Sequence, residues 1–458
     1  MTRPTPSFYH LAWRWHFYAG LLVIPFLLML SLTGMVYLFK PQLDDLLYAD
    51  LLHVPVGEQL LGADQQLALV KQAHPQAEIG KYLPPTAAGR SAEFVIDAGG
   101  RKFSLFVDPY RGTLLGSLDA ENNLQAIARG LHGELLIGTL GDRLIELAAG
   151  WGIVLVVSGL YLWWPRGSGL RAVLWPRLAS RGRLFWRDLH ALTGFWGALL
   201  LLFMLLTGMT WTGVWGEQFA AVWNRFPVAM WNQVPKSDLQ TRSLNDASRQ
   251  MVPWAVENTP LPASDPHAAH RAQGAESAAP AAPQIGLQRV LDIARERGVA
   301  PGYAVALPKG AEGVYTVSLF ANDPRADATL HLDQYSGQLL ADVRWQDYGA
   351  VAKGVELGVV LHEGKFFGLA NQLLMLAVCL LILLSCLSGL LIWWQRRPQG
   401  RLGVPPLPHG LPRWKAGLAI MLVLGLAFPL VGASLLAVWA LDWLLLSRLA
   451  ALRALSEG

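Results

Sequence analysis

Four histidines recur at matched places in the two halves of this 458-residue chain. His16 lies in Arg14-Trp15-His16-Phe17-Tyr18-Ala19-Gly20, and the motif Leu32-Thr33-Gly34-Met35 follows it. His190 lies in Arg187-Asp188-Leu189-His190-Ala191-Leu192-Thr193-Gly194, and Leu206-Thr207-Gly208-Met209 follows it. The spacing from His16 to Thr33 equals that from His190 to Thr207. The second pair repeats as closely. Leu131-His132 stands as far before Ser158-Gly159-Leu160 as Leu361-His362 stands before Ser388-Gly389-Leu390. Trp163-Trp164 and Trp393-Trp394 close the two copies. Histidine is costly near a bilayer, so a duplicated cost points to a use. A neutral imidazole binds iron through one ring nitrogen. Two imidazoles facing each other across a bundle can hold a b-type haem.

Other metal chemistry has less behind it. No Cys-x-x-Cys-His motif occurs, which speaks against covalent haem attachment, and there is no iron–sulfur cysteine cluster. Cys379 and Cys386 lie two helical turns apart in an apolar run. On a helix that is about 10 Å, beyond disulfide reach, so they read as small apolar side chains. A zinc or manganese site would want carboxylates, and Glu134 and Glu363 stand close to His132 and His362. His267 and His270 share an Ala/Pro/Ser-rich stretch that resists the helix an i,i+3 ligand pair requires.

The elements that must position the histidines are membrane helices. The chain is 53% apolar and 15% charged, against about 25% charged for soluble domains. Nineteen Trp fit membrane interfaces. The net charge of +4 is a topology signal and gives no argument for a nucleic-acid partner. Five stretches, 16–39, 144–164, 190–215, 368–394 and 415–441, are long enough to cross a bilayer. The first lacks a small-residue cleavage site and reads as a retained helix. Residues 165–189 carry six Arg against one Asp, and 395–415 carry five basic residues and no acid. Both loops are expected in the cytoplasm, with the N-terminus inside and the C-terminus outside, in a bacterial inner membrane.

This divides the chain into span one (1–40), an outer module (41–128), a His segment with span two (129–165) and an inner loop (166–189). Span three (190–215), a second outer module (216–355) and a His segment with span four (356–395) repeat the order. An inner loop (396–414), span five (415–441) and a tail (442–458) follow. Each outer module carries strand patterns, at 92–97 and 102–108 in the first and at 314–320 and 328–333 in the second. Each continues into an Asp-x-Tyr-x-Gly-x-Leu-Leu motif, at Asp108 and at Asp333. Helical stretches near 64–74 and 285–297 precede them. Residues 255–284 read as a flexible linker. The fold class is therefore a mainly α-helical integral membrane protein, with five spans from a duplicated unit and two small α+β periplasmic modules.

Both halves start inside, so their pseudo-two-fold axis runs along the membrane normal. His16 and His190 then share a depth near the inner face, since His16 to Thr33 is about 26 Å of helix. His132 and His362 lie on the outer side, provided the helix after His132 breaks near Gly138 and Gly141. The expectation is two bis-His haems, His16 with His190 and His132 with His362. Arg14 and Arg187 would reach the propionates or serve as positive-inside anchors. The Trp-Trp pairs read as interfacial belts. Gly20, Gly34, Gly194 and Gly208 allow close helix packing or room for a flat macrocycle, and Thr33 and Thr207 satisfy backbone.

These motifs resemble the PepSY-associated transmembrane family. The resemblance rests on Leu131-His132 with Ser158 to Arg166, on Arg187 to Trp196, on Asp108-Pro109-Tyr110-x-Gly112 and on Phe428 to Leu435. It covers nearly the whole chain. It implies haem b in an iron-regulated inner-membrane protein that passes electrons to a periplasmic ferric siderophore, releasing Fe(II). It also implies that His16, His132, His190 and His362 are the ligands. Gln334 departs from the pattern, standing where the first copy has Pro109. No nucleotide-binding glycine motif is present, so electrons come from a cytoplasmic partner or a quinol. A membrane-anchored PepSY protein that binds or regulates peptidases, and a metal or siderophore transporter, are the alternatives.

Overall fold

A computed structural model describes residues 8–164, 181–224, 231–245, 250–265, 283–397 and 415–441. In chain order the helices are α1 (Phe8–Leu38), α2 (Lys40–Leu47), α3 (Ala49–Leu52), α4 (Ala63–Ala73), α5 (Leu124–Glu134), α6 (Thr139–Trp163), α7 (Arg183–Met209) and α8 (Trp215–Trp223). Then come α9 (Leu287–Glu296), α10 (Ala350–His362), α11 (Leu369–Arg396), α12 (Lys415–Ala427) and α13 (Pro429–Leu441). The strands of the main sheet are β1 (Glu78–Leu83), β2 (Ala92–Ala98), β3 (Arg101–Val107), β4 (Leu114–Asp119), then, after a small β5 (Lys236–Gln240) and β6 (Pro260–Pro262) pair, β7 (Ala304–Ala306), β8 (Val314–Leu319), β9 (Ala328–Asp333) and β10 (Leu339–Arg344). Two units form. One holds Met1–Met35, Arg129–Phe219 and Leu373–Gly458; the other holds Val36–Ala128 and Ala220–Gln372.

In the first unit α1, α6, α7 and α11 are long and apolar enough to cross a membrane. With 25 to 31 residues each they exceed the roughly 30 Å of hydrocarbon. Their shared core takes Val23 and Leu27 from α1, Ala149 and Ile153 from α6, Leu205 and Met209 from α7, and Cys386 from α11. Small residues set the spacing. A Cβ on Gly152 would stand 3.0 Å from Leu205 Cδ1, and one on Gly150 would stand 2.6 Å from Val431 Cγ2. The third span ends earlier than expected, at Met209, and the chain turns into α8. Both cysteines are buried free thiols.

The expected fifth span, 415–441, is not one helix. It forms α12 and α13, 13 residues each, about 20 Å apiece and short of a crossing. The break falls at Phe428-Pro429 because a proline ring clashes with the carbonyl four residues before it, here Gly425. The two helices fold against each other. A Cβ on Gly432 would lie 2.9 Å from the Gly425 Cα. Trp151 Nε1 donates to Ser434 Oγ at 3.0 Å and ties α13 to α6. The tail 442–458 lies outside the described residues.

The second unit corrects another expectation. The two α+β modules are not separate. Their strands make one eight-stranded sheet, ordered β10-β9-β8-β7-β1-β2-β3-β4. The halves join where β1 meets β7, antiparallel, with Tyr82 opposite Val305. α4 and α9 cap each other. Asp64 Oδ1 accepts from Leu287 N at 2.6 Å, and Gln288 Oε1 accepts from Ala63 N at 3.0 Å. An acidic side chain at a helix N-terminus is favoured by the dipole. The core between sheet and helices includes Val70, Phe94, Val290, Val305, Val317 and Leu330.

The repeated Asp-x-Tyr-x-Gly motif is a turn. Asp108 Oδ1 accepts from the Tyr110 and Arg111 amides, and Asp333 Oδ1 accepts from those of Tyr335 and Ser336. Gly112 and Gly337 both take φ of 70°, a conformation that favours glycine. Gln334, the departure from the pattern, is fully buried, with its amide nitrogen 2.8–3.0 Å from the carbonyls of Gly310, Ala311 and Gly313. It pins the loop before β8.

The flexible linker expected over 255–284 is corrected for its first part, residues 255–265. Trp254, Ala255, Val256, Leu261 and Ala263 are buried. This strap is fixed by Ser264 N to the Glu312 carbonyl and by Gln334 N to Ser264 Oγ. Residues 266–282, with His267 and His270, lie outside the described residues.

Candidate functional site

His16 sits on α1 and His190 on α7, and the membrane unit brings their rings to 6.3 Å between centroids, tilted by 74°. That separation has a plain chemical meaning. A metal held between two imidazoles stands about 2 Å from each ring nitrogen. Adding a ring radius of about 1 Å on each side places the centroids about 6 Å apart, which is the spacing found.

The hydrogen bonds select the ring nitrogen. His16 Nδ1 is 3.0 Å from Ser158 Oγ, and that hydroxyl donates to the Leu155 carbonyl at 3.2 Å. A hydroxyl has one hydrogen, so Ser158 accepts from His16 Nδ1–H. His190 Nδ1 is 2.9 Å from the Ser385 carbonyl and 3.3 Å from Ser388 Oγ. A carbonyl can only accept, so His190 also carries its proton on Nδ1. Both neutral rings therefore keep the Nε2 lone pair for a metal. Anchoring the far nitrogen in this way orients a ligand imidazole and raises its basicity.

The repeated Ser-Gly-Leu motif thus has a structural reading that spacing alone did not give. The serine holds the ring and the glycine makes room for it. A Cβ on Gly159 would stand 2.9 Å from His16 Cε1, and one on Gly389 would stand 3.2 Å from His190 Cε1. Further along α7, a Cβ on Gly194 or Gly197 would meet open space. Both glycines line a small cavity with Thr193, Leu201, Val378 and Ser385. The gap lies one and two turns from His190.

His132 is held by the other repeated motif. The helix does break as its glycines suggested: α5 ends at Glu134 and α6 starts at Thr139. Leu135 and Leu136 take φ of 54° and 58° at the bend, a strained region for leucine. A Cβ on Gly141 would lie 1.7 Å from the Glu134 carbonyl oxygen. The reversal brings His132 Nδ1 to 3.0 Å from Thr33 Oγ1, which donates to the Met29 carbonyl at 2.8 Å. By the same hydrogen count His132 donates from Nδ1 to Thr33 Oγ1. Gly34 gives its ring room, a Cβ there being 3.6 Å from His132 Cε1. Thr33 satisfies backbone, as expected, and also orients a histidine.

His362 closes α10 in the other unit, ahead of a turn with Gly364 and Gly368 at positive φ. Burial pushes its pKa down to about 4, keeping it the neutral imidazole that metals bind. The arginines are placed less suggestively. Arg187 pairs with Asp188 at 3.0 Å, and the Arg14 guanidinium lies 5.6 Å from the Tyr18 ring centroid. Trp163 is a packing residue, stacked on Phe195 at 3.9 Å, while Trp164 and Trp394 are exposed as interfacial residues would be.

Carboxylates do not gather at these histidines. Glu363 pairs with Lys365 at 2.5 Å, and Glu134 is exposed. Glu146, buried on α6, accepts from the Val214 and Trp215 amides at 2.9 and 3.1 Å and caps α8. Among the described residues no group of three His, Cys, Asp or Glu side chains is placed to hold a metal ion. A site of two imidazoles alone suits an iron whose other ligands belong to a macrocycle.

Against known proteins, the profile of the family described as "PepSY-associated TM region" matches residues 13–396. No curated protein matches the chain.

Proposed function

Because the chain belongs to the PepSY-associated TM family, a family of membrane proteins, we propose that it is a haem b-containing oxidoreductase of the bacterial inner membrane. In this reading it passes electrons from the cytoplasmic side to a ferric siderophore in the periplasm. One observation carries the haem: the two imidazoles stand at the spacing of axial ligands, each with Nδ1 tied down and Nε2 spare. When bound, haem supplies one-electron chemistry at a potential set by its ligands and surroundings.

The chain's own residues supply position and exclusion. Ser158 and the Ser385 carbonyl fix the inner rings, and Thr33 fixes His132. Gly159 and Gly389 admit the inner rings. The apolar helices α1, α6, α7 and α11 keep water from the inner pair. His362, the fourth ligand in this reading, is held neutral by burial. The ferric-siderophore acceptor comes from the resemblance to siderophore reductases, and the donor is a cytoplasmic partner or a quinol.

The test is optical. Protein purified after expression with ample haem should show a low-spin bis-His spectrum, with two haems per chain by pyridine haemochrome. His16→Ala and His190→Ala should each remove the same one. In proteoliposomes, a donor trapped inside should generate Fe(II) outside from a ferric siderophore. Absence of a Soret band would overturn the haem. A count that stays at two haems in either variant would overturn this ligand pair, and reduced protein that leaves the ferric siderophore untouched would overturn the acceptor.

A further inference from the structure

One face of the membrane unit is concave. Between the start of α7 and the end of α11, Trp186 stands across from Leu384, Leu387 and Leu391, with Trp393 and Trp394 beyond them, around an open cavity of about 440 Å³. All of these side chains are apolar or aromatic. On α11 the lining residues Leu384, Leu387, Leu391 and Trp394 fall three or four apart, so they form one stripe. From Leu384 to Trp394 that stripe is about 15 Å long. This is half of the roughly 30 Å hydrocarbon core, the depth of one leaflet.

The tryptophan end of the groove carries positive charge. The Arg397 guanidinium lies 3.4 Å from the Trp394 ring centroid and 5.7 Å from that of Trp393. Such stacking holds a guanidinium in place and leaves its edge N–H groups to donate. Arg183 opens α7 one turn before Trp186 and is exposed. It meets Arg396 as a like charge, so the basic ends of α7 and α11 lie beside each other. The neighbouring Arg187 is taken by Asp188 at 3.0 Å. Among the described residues no carboxylate pairs with Arg183 or Arg397. An apolar groove one leaflet deep, with guanidinium groups waiting for an anion at its mouth, matches one molecule end to end. We propose that α7 and α11 form a binding site for an anionic phospholipid, with one acyl chain along the groove and the phosphate held by Arg183 and Arg397.

Two features separate this site from ordinary lipid contact. A bilayer coats every outward helix face, but here the face is hollowed between two helices. Basic residues at helix ends also serve as topology signals, yet that role asks only for charge, and Arg397 is seated on a ring that lines the groove. An isoprenoid quinol would fill the apolar part equally well. It brings no anion for the guanidinium groups, and its hydroxyls would find no acceptor among the lining side chains. The groove also adjoins His190. Trp186 lies one turn before it, and Leu384 and Leu387 stand either side of Ser385, whose carbonyl accepts from His190 Nδ1 at 2.9 Å. A bound chain therefore seals the helix pair beside that anchor. The site stands on the membrane crossing alone and is independent of whether iron binds at His190.

Native mass spectrometry of the delipidated full-length protein in detergent tests this, with phosphatidylglycerol and phosphatidylcholine of identical chains as probes. One phosphatidylglycerol should bind, preferred over phosphatidylcholine by about tenfold or more, since each arginine near an anionic headgroup contributes about fivefold. Arg183→Gln and Arg397→Gln should each lower phosphatidylglycerol affinity by about fivefold and leave phosphatidylcholine unchanged. Arg187→Gln removes the same charge nearby from an arginine that is already paired, and should change neither. Leu387→Trp, which fills the groove, should weaken both lipids. Equal affinity for the two lipids, or a loss in Arg187→Gln as large as in Arg183→Gln, would overturn the site. Should Leu387→Trp fail to fold by circular dichroism, the arginines at the helix ends decide: phosphatidylglycerol binding unchanged in the Arg183→Gln, Arg397→Gln double variant refutes the proposal.

Discussion

Replacing Ser158 with Ala should loosen haem at the inner histidines more than the equivalent change at Ser388. The two serines occupy the same place in the repeat but carry different shares of the work. Ser158 Oγ is the nearest acceptor for His16 Nδ1, at 3.0 Å. His190 Nδ1 already reaches the Ser385 carbonyl at 2.9 Å, with Ser388 Oγ further off at 3.3 Å. An N–H left unpaired in an apolar interior costs about 1–3 kcal/mol. Loss of an outer partner of a metal-bound histidine typically weakens binding by about 10–100-fold. His16 also bonds to the Leu155 backbone, whose carbonyl the Ser158 hydroxyl shares, so part of the anchoring survives the loss of Ser158. That fallback sets the expectation near the lower end, about tenfold for Ser158→Ala. For Ser388→Ala a full acceptor remains, and the loss should stay within about threefold, under about 1 kcal/mol. The assay is haem titration of apoprotein in a His132→Ala background, so that the inner pair is read alone. The reduction potential should also rise in Ser158→Ala, because a less basic imidazole favours the ferric state less. Equal losses in the two variants, or a larger loss in Ser388→Ala, would refute the argument from hydrogen counting.

Gly159→Ala should disturb the inner spectrum more than Gly389→Ala, since its Cβ would come 2.9 Å from a ring carbon against 3.2 Å; identical spectra would count against the cradle. Gly141→Ala drives a Cβ to 1.7 Å from the Glu134 carbonyl oxygen. It should destabilise the α5–α6 reversal by several kcal/mol and cost the haem bound at His132, read as lost absorbance at constant protein. Stability of the α/β unit should fall as pH rises. Asp327 has its pKa raised from 3.8 to about 8 in the fold, so between those values the native state holds the extra proton and each rise in pH favours unfolding. A denaturation midpoint in urea that rises over that window would contradict this sign. Gln334→Ala should cost about 1–3 kcal/mol by stranding the carbonyls of the 310–313 loop, measured in the same denaturation experiment.

Much of the site was legible because its spacing is carried by helices. His16 and Thr33, or His132 and Ser158, are fixed by counting along the chain, and the glycines near positions 138–141 announced the break that lowers His132. What counting missed was the partner on the neighbouring helix. Ser158 and Ser388 were visible as repeats, yet nothing local says that they face His16 and His190. In the α/β unit the outer strands were readable from alternation. The Tyr82–Val305 register, in contrast, joins segments from opposite halves of the chain and leaves no local trace. Composition misled at the strap, where Pro and Ala suggested a linker. There Pro260 and Pro262 belong to β6 in a two-stranded pair, and their neighbours are buried. Length misled at 415–441, where the apolar run is long enough but Pro429 forbids a straight helix.

Helix α1 is a measuring rod. It carries His16 near one end and, further along, the Thr33 that holds His132, so its length sets how far apart the two histidine stations lie. A helix transmits phase as well as length, about 100° per residue. A single residue inserted between positions 16 and 33 would swing Thr33 off His132 while adding only about 1.5 Å. Four inserted residues would nearly restore the phase while lengthening the gap by about 6 Å. Angle and distance in this protein can therefore be varied separately, by insertions in one helix that touch neither histidine.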